Sequence, residues 1–136
     1  MISSTRLRNF LATLYGIPFV IIGINHFRNP DWFEPIVPEA IGSPRFWVLI
    51  SGVFEILLGI MMMIPRTRKY ASIGFVAMLV SIYWANLNMW INDIEIGNTR
   101  LSQFGHVVRA AIQFLLIIMA LWLGKLLPFN KKSTPD

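Results

Sequence analysis

The sequence predicts an all-α integral membrane protein, a four-helix up-down bundle with an interfacial loop between helices 1 and 2. Hydrophobic residues make up 55% of the 136 residues and charged residues only 14%, whereas water-soluble domains carry about 25% charge. Four apolar segments approach or reach the roughly 17–25 residues that cross a bilayer as a helix. Basic residues cluster in alternate connections. The composition excludes a disordered tail, a coiled coil and a typical nucleic-acid-binding module, so no nucleic-acid partner is expected.

The four segments together make a single membrane domain that spans residues 1–136. The predicted spans are residues 10–25, 46–64, 70–90 and 104–123, followed by a cytoplasmic tail over residues 124–136. Helix 1 is the shortest. Pro18 within it removes a backbone donor and should kink or loosen the helix.

The Lys and Arg residues of the connecting segments predict the orientation. Eight lie on the side of the two termini and of the turn over residues 65–69, whereas Arg28, Arg45 and Arg100 lie on the other side. Both termini and this turn are therefore predicted to face the cytoplasm. The acidic loop residues agree, because they all lie on the opposite, outer side.

The segment between helices 1 and 2 is both apolar and rich in proline. It contains Phe27, Trp32 and Phe33 and is interrupted by four prolines between residues 26 and 45. Such a run cannot form a fifth span. It either lies at the headgroup level as an interfacial anchor or folds over the outer mouth of the bundle as a lid.

Polar residues inside the spans mark the candidate site. An ionisable group at the centre of a membrane helix costs about 2.5–3.5 kcal/mol, so such groups should face the interior of the bundle. Gly52 and Gly59 share a face with Glu55 and would let a neighbouring helix approach closely. The predicted polar pocket, in the outer half of the bundle, consists of His26, Glu55, Tyr83, Asn86, His106, Arg109 and Gln113.

Arg109 keeps its charge at any accessible pH, so the sequence predicts an ion pair with Glu55. This pair either fixes the register of the helices or forms part of a ligand or proton site. The chain has no cysteine, which excludes thiolate metal sites. Metal binding by His26, His106 and Glu55 lacks the usual ligand spacing. Haem ligation would require His26 and His106 to face each other across a wide gap. No catalytic or metal residue is predicted, and the residues do not indicate a self-contained enzyme.

Several of these motifs resemble the DoxX family of small four-helix bacterial membrane proteins. The resemblance extends from about Leu11 to Leu123. It rests on Gly23-Ile24-Asn25-His26-Phe27, Phe33-Glu34-Pro35-Ile36-Val37-Pro38, Ser51-Gly52-Val53-Phe54-Glu55, Pro65-Arg66-Thr67-Arg68, Ala85-Asn86, and Arg109 with Gln113.

The resemblance implies an accessory or small-ligand-binding component of a membrane-associated redox system, with a quinone-like ligand in the polar pocket. It also implies membrane or soluble redox partner proteins, and the chain could form a homo-oligomer. The alternative is a non-catalytic membrane scaffold or assembly factor whose polar cluster is only structural. An enclosed cavity would favour the first reading. A filled interior, with a partner-binding face around Trp84, Trp90 and Trp122, would favour the second.

Overall fold

The computed structural model describes residues 4–128, and this part of the chain is helical without a β-strand. The long helices are α1 (Ser4–Arg28), α2 (Pro44–Met63), α3 (Arg68–Ile91) and α4 (Gln103–Leu123). Three short 3-10 turns, Pro30–Trp32, Glu34–Ile36 and Glu39–Ile41, lie between α1 and α2. The all-α prediction is confirmed, and all four helices are long and apolar enough to cross a membrane. Of the predicted tail, residues 129–136 lie outside the described residues.

Helix α1 is longer than its apolar segment. It has 25 residues, begins at Ser4 and continues through Pro18 as one α-helix. The prediction that helix 1 is the shortest is therefore wrong. Hydropathy detects only the apolar run from residue 10 onward. The helix begins earlier, at Ser4, and its first six residues are mostly polar.

Side-chain hydrogen bonds cap both ends of α2 and the start of α4. The Ser43 hydroxyl accepts a hydrogen bond from the backbone of Phe46 at the start of α2, and the Ser102 hydroxyl does the same for Gly105 in α4. These contacts satisfy backbone donors that have no partner within the helix. At the other end of α2, the buried Arg68 donates from Nε to the Met62 carbonyl at 2.9 Å. A cation suits this position because the C-terminus of a helix is electronegative.

Helices α1 and α2 meet along paired glycines. A Cβ atom on Gly16 would lie 2.5 Å from the Gly59 carbonyl oxygen, and one on Gly23 would lie 2.7 Å from that of Gly52. The two helices are therefore antiparallel and almost in backbone contact. The predicted role of Gly52 and Gly59 in close approach is confirmed. We call these four residues the glycine seam.

Each long helix packs mainly against its neighbours in the chain. Helix α2 packs against α1 and α3, whereas α4 packs against α3 and, to a smaller extent, α1. An aromatic cluster of Tyr15, Phe19 and Phe75 lies between them, with the rings of Tyr15 and Phe75 edge to face at 5.1 Å. The Tyr15 hydroxyl donates to the Leu116 carbonyl at 2.9 Å, which connects α1 with α4.

The proline-rich segment over residues 29–43 folds over one end of the helices. Ile36 is buried together with Met89 of α3 and Ile96 of the following loop. Asn88 Nδ2 donates to the Ile36 carbonyl at 3.0 Å. The segment thus packs against the ends of α1, α2 and α3, and its place at the headgroup level stays a prediction. We call this end, with residues 29–43 and 92–102, the loop end, and the opposite end the basic end.

Candidate functional site

His26 of α1 and Glu55 of α2 form a buried polar pair. The residues are only 6% and 5% exposed. Nδ1 of His26 lies 3.2 Å from Oε2 of Glu55 and 3.4 Å from the Ser51 hydroxyl. The glycine seam brings the two helices close enough for this contact, because His26 Cβ packs directly over Gly52. The ring of Phe33, from the folded segment, covers the imidazole edge to face at 4.0 Å.

The pair must be electrically neutral as a whole, because an isolated buried charge is very costly. Two arrangements satisfy this condition: a carboxylic acid beside a neutral imidazole, or a carboxylate beside an imidazolium. Oε2 of Glu55 has no hydrogen bond of good geometry to another group in the described part of the chain. The contact with Nδ1 of His26, at 3.2 Å, is thus one through which the two residues could share a proton.

The prediction of an ion pair between Glu55 and Arg109 is wrong. Glu55 pairs with His26, and Arg109 bonds to Asn86 and Met89 instead. The reason lies in the packing of the helices. Because α2 packs against α1 and α3 while α4 packs mainly against α3, each side chain meets a partner on the adjacent helix of its own pair.

A second polar cluster lies between α3 and α4. Arg109 donates to the Asn86 side-chain oxygen, and its Nη1 lies 2.9 Å from the Met89 sulfur. Asn86 Nδ2 donates to Gln113 Oε1 at 3.2 Å, and Gln113 Nε2 donates to the Leu79 carbonyl. The chain of bonds fixes the orientation of both amides. Among the described residues, Arg109 forms no salt bridge, so the acceptors of its hydrogen bonds are neutral groups.

A groove of about 310 Å³ lies beside this cluster, on the outer face of α3 and α4. Its polar lining comes from Tyr83 and Gln113. Its apolar lining comes from Val80, Ala110, Phe114 and Ile117. Gln113 therefore belongs both to the groove wall and to the hydrogen-bond chain that leads to Arg109. The groove is therefore apolar apart from these two side chains.

His106 belongs to neither cluster. It is buried and stacks on Trp90, with ring centroids 5.4 Å apart and an interplanar angle of 8°. The indole of Trp90 donates to Gln103 Oε1 at 2.7 Å. The predicted pocket residues thus fall into three sets, and no hydrogen bond or ion pair within the described range joins one set to another. That range contains no group of three His, Cys, Asp or Glu residues placed to hold a metal ion.

The three tryptophans of the scaffold hypothesis lie in different surroundings. Trp84 is 69% exposed on α3, whereas Trp90 stacks on His106 near the loop end. Trp122 lies near the end of α4, at the basic end, beneath the guanidinium of Arg8. The structure therefore separates Trp122 from the other two along the length of the helices.

A cleft of about 420 Å³ at the loop end is not predicted from the sequence. Its lining residues are Pro35, Val37, Pro38, Glu39, Ala40, Asn88, Asn92 and Ile94. The prolines of residues 29–43 predict an irregular segment, but their spacing does not show against which helices this segment packs. Nearby, hydrogen bonds from Arg100 to Asp93 and Glu95 raise the pKa of the arginine.

Comparison with known proteins shows the family but not a function. The chain belongs to the family described as Domain of unknown function (DUF8561), whose model matches residues 15–124. No curated protein and no solved structure matches the chain. The resemblance to the DoxX family thus stays a prediction.

Proposed function

We propose that this member of the DUF8561 family is a four-helix up-down bundle in a bacterial cytoplasmic membrane, with both termini in the cytoplasm. Only 22–33% of the most apolar stretch of each helix is buried within the protein. In water this much exposed apolar surface would drive aggregation, whereas acyl chains would cover it. The Lys and Arg residues concentrated at the basic end support the orientation.

We further propose that the protein binds a lipid-soluble small molecule with a polar head in the groove between α3 and α4. The placement of Tyr83 and Gln113 side by side in the wall of an otherwise apolar groove carries this proposal. The groove lies on an outer face, so a ligand dissolved in the bilayer could enter sideways. A quinone-like compound, and a role as an accessory component of a membrane-associated redox system, follow from the DoxX resemblance.

The polar groups of the groove suit an oxygen-bearing head group. The Tyr83 hydroxyl can donate a hydrogen bond, and the amide of Gln113 is held in place by Asn86 and Leu79. Arg109 polarises this chain of hydrogen bonds, because its positively charged guanidinium donates to neutral acceptors. The apolar wall, from Val80 to Ile117, would hold the ring and tail. No step in this account requires catalysis, and the chain is proposed as a binding component.

The test uses the purified chain in detergent micelles and a short-chain ubiquinone as probe, with binding followed by quenching of tryptophan fluorescence. Gln113→Leu removes a polar group from the groove. The matched control is Ser81→Ala, because Ser81 is exposed on α3 and bonds only to its own helix. We expect saturable binding by the wild type and the control, and about tenfold weaker binding by Gln113→Leu, since one hydrogen bond contributes about 1.4 kcal/mol.

Two results would overturn the ligand proposal: no saturable binding by the wild type, or equal binding by Gln113→Leu. The second candidate, a membrane scaffold or assembly factor, is favoured by the tight packing around His26 and Glu55, where the glycine seam leaves no room for a ligand. Native mass spectrometry separates the two. Co-purified quinone supports the binding role, whereas protein partners or a homo-oligomer without a small molecule support the scaffold.

A further inference from the structure

The cleft at the loop end lies between the folded segment over residues 29–43 and the end of α3 with its following loop. One wall consists of Pro35, Val37, Pro38, Glu39 and Ala40, and the other consists of Asn88, Asn92 and Ile94. The hydrogen bond from Asn88 Nδ2 to the Ile36 carbonyl, at 3.0 Å, joins the two walls. The burial of Ile36 with Met89 and Ile96 joins them a second time. Both walls are therefore held in place by the protein itself.

One carboxylate in the wall of the cleft has no partner within the described residues. The acidic residues of the loop end are Asp31, Glu34, Glu39, Asp93 and Glu95. Arg45 pairs with Asp31 and Glu34, whereas Arg100 pairs with Asp93 and Glu95. Glu39 forms neither an ion pair nor a side-chain hydrogen bond with any described residue. The cleft therefore has a negative charge that the described part of the chain does not neutralise.

The asparagines of the cleft add a second acceptor. Asn92 Nδ2 donates to the backbone carbonyl of Asn88 at 3.2 Å and to its side-chain oxygen at 2.7 Å. These two bonds fix the Asn92 amide, whose own Oδ1 accepts no hydrogen bond from the described residues. Two side-chain acceptors, one of them charged, thus lie in the same cleft. Such a pair selects a ligand group that is positively charged and carries several N–H donors.

We propose that the cleft binds a small organic ammonium compound, with the Glu39 carboxylate as the principal contact and Asn92 Oδ1 as the second acceptor. The side chains of Pro35, Val37 and Ile94 contact the apolar body of the ligand. Residues 35–40 and 92–94 lie outside the four long helices, so a water-soluble compound can reach the cleft. This site depends neither on the groove between α3 and α4 nor on the ligand proposed for it.

The test uses the full chain, labelled with ¹⁵N, in detergent micelles, with benzylamine as probe because it is protonated at neutral pH. Binding is followed at fixed ionic strength by the chemical shifts of the Val37, Ala40 and Ile94 amides. We expect saturable shifts at these amides with benzylamine and none with benzyl alcohol, which has the same ring without the charge. Glu39→Gln should weaken binding about threefold to fivefold, because an exposed ion pair contributes modestly.

Glu95→Gln is the matched control, since it removes the same charge at the same end and leaves Arg100 paired with Asp93. This variant should bind benzylamine like the wild type. Equal weakening by Glu39→Gln and Glu95→Gln would overturn the site, because it would show only bulk charge. Equal shifts with benzyl alcohol would overturn the choice of a cation.

A second variant tests the position of the site without removing the carboxylate. Ala40→Trp places a large side chain in the wall of the cleft and should abolish the shifts at Val37 and Ile94. Unchanged binding by Ala40→Trp would contradict the proposal, even if Glu39→Gln does not fold. Gln113→Leu should bind benzylamine like the wild type, so failure of the groove proposal and failure of this one can be distinguished.

Discussion

Replacement of Gly16 by alanine tests whether the glycine seam holds α1 and α2 together. The new Cβ would lie 2.5 Å from the Gly59 carbonyl oxygen and 2.9 Å from the Met63 side chain. The side chain can rotate away, but the carbonyl belongs to the backbone of α2. The helices must therefore separate by several tenths of an ångström, and a gap of about 0.5–1 Å already removes a quarter to a half of a dispersion contact.

The expected magnitude follows from two opposing effects. Excess volume in a packed interface typically costs about 1–3 kcal/mol, whereas alanine is better than glycine within a helix by about 1 kcal/mol. Because the clash is with backbone, we expect a net loss of about 1–2 kcal/mol in the free energy of unfolding. Gly105→Ala is the control, since its Cβ would meet nothing closer than 3.4 Å. This control should be neutral or slightly stabilising.

Unfolding in mixed micelles, followed by circular dichroism, measures both variants under the same conditions. The loss should appear in Gly16→Ala alone. The close approach would be refuted if Gly16→Ala were as stable as Gly105→Ala, because the methyl group would then fit without any movement of the helices.

Two further predictions concern the polar contacts. In a double-mutant cycle of unfolding free energies, alanine substitutions of His26 and Glu55 should show a coupling energy of about 0.5–3 kcal/mol. The effects of alanine substitutions of Glu55 and Arg109 should instead be additive to within about 0.5 kcal/mol. The opposite pattern would support the ion pair predicted from the sequence. Asn88→Ala should lower the free energy of unfolding by about 0.5–1.5 kcal/mol, because it removes the hydrogen bond to the Ile36 carbonyl. It should also speed hydrogen exchange in residues 29–43. Unchanged exchange there would show that this bond does not hold the segment.

The long helices could be predicted from the sequence because each contains a continuous apolar run. Helical periodicity also placed Glu55 on the face of Gly52 and Gly59, and that face does contact a neighbouring helix. Periodicity gives the face of a residue but not the helix that it meets. Charge alone therefore predicts Arg109, and not His26, as the partner of Glu55. Charge is a weak guide here, because Arg109 is satisfied by an amide and a thioether.

The folded segment at the loop end could not be placed from its sequence. Its prolines exclude a regular helix, but 3-10 turns have no repeating pattern of buried residues. The docking of Ile36 beside Met89 depends on the shape of two other segments. The groove between α3 and α4 is likewise a product of tertiary packing, although Tyr83 and Gln113 were both among the predicted residues.

The separation of the polar side chains into two clusters has a consequence for biogenesis. His26 and Glu55 join the first two helices, and Asn86, Arg109 and Gln113 join the last two. The members of each cluster thus belong to one consecutive pair of helices. A nascent chain released from the translocation machinery two helices at a time could assemble each of these two clusters within one hairpin, before the other hairpin arrived.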